Sequence, residues 1–173
     1  MAYLAREIAR AKWDPKPDLG AGEISADTFK DLRTDKSKLS LWTFPNSALA
    51  ELEEIALAMA TTRTSIEKLD LAWVEKKILD EKGILFGNEP GSTPVAELRA
   101  KHLNAVSLDV VRIAEIAKFV ADAVRNKNQF RRFSTAEIKK IIVKALEEKR
   151  LRLEDLNSDL KRKIEELLGK HVE

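Results

Sequence analysis

Cysteine is missing from all 173 residues, which excludes disulfides, thiolate nucleophiles and cysteine-ligated metals. Histidine is nearly as scarce. His102 and His171 are the two present, and neither lies in an HExxH-type spacing, so both read as surface or capping residues. No metal and no cofactor is expected. There is no GxSxG elbow for a nucleophilic serine. The glycine-rich stretch GNEPGSTP, residues 87–94, lacks the GK[ST] ending of a phosphate loop. It reads first as a linker, and only distantly as an anion site at the helix start offered by Pro94. Long apolar runs are missing too. The N-terminal MAYLAREIARAKW carries Arg6, Glu7, Arg10 and Lys12, unlike a secretory leader. The longest uncharged run, residues 39–50, is too short for a bilayer and contains Pro45. A soluble cytoplasmic protein with no membrane association is the expectation.

What is present suffices for a folded core. Hydrophobic residues make up 44% and charged residues 35%, with a net charge of only +2, which is not the balance of a disordered chain. The charge is unevenly spread. Residues 1–124 sum to −3 and residues 125–173 to +5, with a basic block of +7 over residues 125–152. Such a block suits nucleic acid or an acidic protein surface.

The most regular stretch is SLDVVRIAEIAKFVADAVR, residues 107–125. Val110, Ile113, Ala114, Ala117, Val120, Ala121 and Val124 recur at helical spacing, and Leu108, Ile116, Phe119 and Ala123 form a second apolar edge. Ser107 is the expected cap, with Asp109 in the first turn and Arg125 in the last. Apolar on two sides, this helix is expected to be the centre of the fold.

Before it, residues 3–13 are ambiguous between helix and strand. Residues 26–32 predict a short helix capped by Ser25, residues 39–44 (LSLWTF) a buried strand, and residues 48–60 an amphipathic helix. Residues 66–74 alternate as a strand would, and residues 75–81 and 84–86 predict a short helix and a short strand. Beyond the linker everything reads as helix: residues 94–101, the central helix, residues 134–151 and residues 158–168. The third opens with a capping box, Ser134 and Glu137, and a hydrophobic staple, Phe133 with Ile138. The fold class is therefore α+β, with a mixed N-terminal half over residues 1–90 packed on a helical C-terminal half over residues 91–173 built around helix 107–125.

Two groups of residues could form sites. Asp27, Asp31, Arg33, Ser40 and Trp42 lie where a polar loop meets a strand, the usual position of a pocket. Arg125, Lys127, Phe130, Arg131, Arg132, Lys139 and Lys140 interleave bases with aromatics, as a nucleic-acid or protein-binding surface would. The missing chemistry favours a non-catalytic intracellular protein that binds a macromolecule, most readily another protein, as an adaptor, complex subunit or toxin-neutralising factor. Nucleic-acid binding through residues 125–152 is the first alternative. An enzyme with a polar site around residues 27–42 is the second.

Overall fold

Six strands drawn from residues 3–133 join in one antiparallel sheet. The computed structural model describes residues 2–14, 16–20, 23–46 and 48–169. The strands are β1 (Tyr3–Glu7), β2 (Leu39–Phe44), β3 (Leu69–Glu75), β4 (Leu85–Asn88), β5 (His102–Val106) and β6 (Phe130–Phe133), in spatial order β4-β5-β2-β1-β3-β6. The helices are α1 (Leu49–Ala60), α2 (Lys76–Glu81), α3 (Val110–Asn126), α4 (Thr135–Glu147) and α5 (Ser158–Gly169). Short 3-10 turns occupy Arg10–Lys12, Ala26–Lys30, Ala96–Lys101 and Leu153–Asp155.

Side chains alternate across a strand, so the register sorts the apolar residues into two cores. Leu4 pairs with Val74 and Leu41 with Leu103. These residues, with Leu39, Ala72 and Ala105, meet Ile116, Ala117, Val120, Ala121 and Val124 of α3. The opposite face carries Ala5, Trp42, Phe44, Leu69, Leu71, Trp73 and Phe133. Against it lie Leu52, Ile55 and Ala56 of α1, Ile138, Ile142 and Ala145 of α4, and Leu160 and Ile164 of α5. The result is three layers with the sheet in the middle. Strand β3, covered on both faces, is buried along almost its whole length.

The α+β class holds, and several local expectations are corrected. The sheet occupies the centre, while α3 covers one face, with Val110 and Val111 at its start 78% and 71% exposed. Asp109 caps α3 through its Oδ1 to the Arg112 N–H at 2.8 Å, whereas Ser107 adopts a positive φ of 54°. The chain beyond residue 94 is not all helix, because β5 and β6 enter the sheet as partners of β2 and β3. GNEPGSTP is not a free linker. Gly87 and Asn88 belong to β4, and Thr93 is fully buried. The ambiguous N-terminus is a strand followed by a 3-10 turn. The capping box at Ser134 and Glu137 forms as expected.

Candidate functional site

Alternation along β2 and β5 places Ser40, Trp42, His102 and Asn104 on one face of the sheet, with Trp42 directly opposite His102 and Ser40 opposite Asn104. Helix α1 ends above this face at Ala60, and the loop of residues 89–92 passes beside it. Between them opens a cleft of about 640 Å³, lined by Ser40, Trp42, His102, Arg6, Arg63 and the loop, among others. The hydroxyls of Thr61 and Thr93, 3.0 Å apart and buried, tie the end of α1 to the loop segment that follows. A Cβ on Gly91 would meet the Trp42 Cη2 at 2.7 Å, so the loop runs against the indole only because residue 91 is glycine.

At the floor of the cleft, Ser40 Oγ lies 2.6 Å from His102 Nε2, and His102 Nδ1 lies 2.6 Å from the Glu89 carbonyl oxygen. A carbonyl can only accept, so Nδ1 carries a ring proton, and in the neutral form of the ring Nε2 is the bare acceptor. The Ser40 hydroxyl then donates to it. Trp42 packs edge-on against the imidazole, with ring centroids 5.1 Å apart. The Glu89 carboxylate accepts from Asn104 Nδ2 at 2.6 Å and from Lys38 Nζ at 3.0 Å. Chiefly through the Lys38 hydrogen bond, it is held below the usual glutamate range. Two strands and one loop thus fix the orientation of a serine–histidine pair whose hydroxyl faces solvent.

Two arginines flank the pair. Arg6 donates from Nη1 to the Ser40 carbonyl and from Nη2 to the Asp31 carbonyl, each at 2.8 Å. Burial pushes its guanidinium below the ordinary arginine value, against the opposing pull of Asp31 and Glu7. Its buried Nε has no hydrogen-bond partner among the described residues. Arg63 pairs with Glu7. Asp31 is a structural clamp: its Oδ2 accepts from the Trp13 indole at 2.6 Å and from the Ala9 N–H at 2.8 Å.

Of the residues singled out around positions 27–42, Asp31, Ser40 and Trp42 line the cleft. Asp27 and Arg33 do not. Asp27 pairs with Lys30 at 3.0 Å. In the basic segment, Arg132 makes a two-pronged contact with Asp70 at 2.6 and 2.7 Å, and Arg131 reaches Glu137 at 2.9 Å while lying over the Phe133 ring. Arg125 donates to the Glu23 carbonyl at 2.9 Å, Phe130 carries Arg10 over its ring, and Lys127 ends α3 with a positive φ of 51°. Lys139 and Lys140 have no ion pair among the described residues.

His102, which reads on sequence as a surface or capping residue, opens a strand. The alternation of Leu103 and Ala105 with Asn104 was the available signal, obscured by its position between two helix-like stretches. Arg6, Arg63 and Glu89 carry no local pattern that would mark them. His171 lies outside the described residues. Among the described residues, no group of three or more potential ligands could hold a metal, and no helix is long and apolar enough to cross a membrane. No family model, curated protein or solved structure matches the chain.

Proposed function

We propose that the protein is a serine-type hydrolase or acyltransferase acting on a small polar ester in the cleft, the enzyme alternative among the three functions the sequence allows. The observation that carries this reading is the 2.6 Å contact between Ser40 Oγ and His102 Nε2, with the tautomer set by the Glu89 carbonyl. Nucleophile, base and orienting group are the three parts that activated serines require.

The steps balance with water as the only co-reactant. Ser40 Oγ bonds to the acyl carbon as its proton passes to His102 Nε2. The Glu89 carbonyl holds the resulting imidazolium by the Nδ1–H. The tetrahedral adduct expels the alcohol, which takes the proton from Nε2. Water, deprotonated by Nε2, then attacks the acyl-serine; the adduct expels Ser40 Oγ, which takes the proton back from Nε2, and the acid is released. Arg6, fastened to the backbone of Ser40, and Arg63 are the cationic groups of the cleft that would meet the developing oxyanion. The lining of arginine, aspartate and glutamate suits a polar acyl group rather than a lipid chain.

A fluorophosphonate probe, followed by mass mapping of the adduct, tests the reading. Labelling of Ser40, and turnover of p-nitrophenyl acetate that falls at least a hundredfold in Ser40→Ala and His102→Gln, is the expected result. An unlabelled Ser40 in the folded protein, or turnover unchanged in Ser40→Ala, would overturn it.

A further inference from the structure

Helices α4 and α5 leave a groove on the far side of the sheet's helical layer, independent of the cleft. Two adjoining depressions of about 420 and 290 Å³ share Lys139 and Leu167 and form one trough. The floor of the larger is apolar, with Val143, Leu167 and Leu168 half-buried and Ala136 at the surface. Lysines 139, 140, 144 and 163 stand along the trough. Lys144 approaches Glu148 at 3.8 Å, and Lys163 donates to the Thr64 carbonyl at 3.4 Å. Neither Lys139 nor Lys140 has an ion pair among the described residues. Among the described residues Glu147 and Glu166 are the acids of the lining, so cations outnumber them.

We propose that this trough docks an amphipathic helix of a protein partner, with its leucine-type face on Val143, Leu167 and Leu168 and its flanking Asp and Glu side chains on the lysines. An apolar floor between basic banks is the complement of an acidic amphipathic helix. A nucleic acid would call for rings on which its bases could stack, and among the described residues the trough offers no aromatic ring. The 13 residues of α4 span about 20 Å at helical rise, room for three to four turns of a partner laid alongside.

The test uses the full chain and a fluorescein-labelled 18-residue helical peptide, with Leu at i, i+3, i+4 and i+7 and Glu beside them, followed by anisotropy. A scrambled peptide of the same composition and a labelled DNA duplex serve as alternatives. Expected is saturable binding of the patterned peptide, at least tenfold tighter than the scramble. It should weaken with salt and fall at least tenfold in Lys139→Glu/Lys140→Glu and in Val143→Glu. Circular dichroism would establish that each variant folds. Absence of binding, equal binding of the scramble, or insensitivity to both variants would overturn the proposal. Tighter binding of the duplex, lost in the lysine variant, would also overturn it and give the surface to nucleic acid.

Discussion

Gly91 and Trp42 touch so closely that the smallest possible side chain on residue 91 would sit 2.7 Å from the indole Cη2 and 3.1 Å from His102 Cβ. The loop that carries the Glu89 carbonyl is therefore seated directly on the ring that backs the histidine. Gly91→Ala must push the loop or the indole aside, and the Glu89–His102 contact moves with it. Because the strain falls on a loop, the expected outcome is a loss of at least tenfold in the proposed esterase turnover. Stability should fall by only about 1–3 kcal/mol, the range for overpacking. Urea unfolding and p-nitrophenyl acetate kinetics on the same preparation measure both.

Trp13 donates to Asp31 across 18 residues of chain, and Asp31 also holds the Ala9 N–H. Trp13→Phe keeps most of the buried ring and removes the donor. The carboxylate retains the Ala9 hydrogen bond, so the expected cost is about 1 kcal/mol. Asp31→Ala strands both donors and should cost more. Denaturant midpoints of the two variants, compared at equal slope, check the order.

Asp70 is buried in β3, its side chain 6% exposed, and Arg132 from β6 covers it while remaining 44% exposed. Removing the arginine leaves the carboxylate on β3 without its forked partner. Arg132→Ala is expected to destabilise by about 1–3 kcal/mol, the cost of an unmet buried acceptor. Arg132→Lys should recover only part, because an ammonium cannot make both contacts at once. Amide exchange in β6 should quicken in the alanine variant, since β6 is an edge strand held on one side.

The box at the start of α4 makes a pH-dependent contribution. Glu137 lies below the usual glutamate range, first because its carboxylate accepts from the Ser134 N–H, then through the Ser134 hydroxyl and Arg131. A carboxyl with a depressed folded value stabilises the protein above its unfolded value of about 4.3 and loses that contribution as pH falls through the folded one. The stability gap between wild type and Glu137→Gln should therefore be full at neutral pH and close on acidification below that range. Ser134→Ala should cost about 1 kcal/mol. Thermal unfolding of the three proteins between pH 7 and pH 3 measures this.

Helix α4 was legible because everything that starts it lies within a few residues: Ser134, Glu137, Phe133 and Ile138 act on their own turn. The helix of residues 48–60 and the strand LSLWTF were legible for the same reason. Strand β6 was not. FRRF, four residues long, shows no period and becomes a strand only because β3 offers it an unpaired edge. The Ser40 and Trp42 half of the cleft could be suspected from a polar loop meeting a strand, but its other half could not.

What the amino-acid order determined by itself is therefore local: which segments are amphipathic, where they are capped, and that a sizeable core exists with no thiol chemistry in it. The tertiary structure decided what those segments face. Ser40 meets His102 across 62 residues only because β5 docks beside β2 in one register. A slip of one residue would send Ser40 to the other face of the sheet. Pairing between distant strands is set by the summed burial of both cores, a property of the whole chain that no window along it contains.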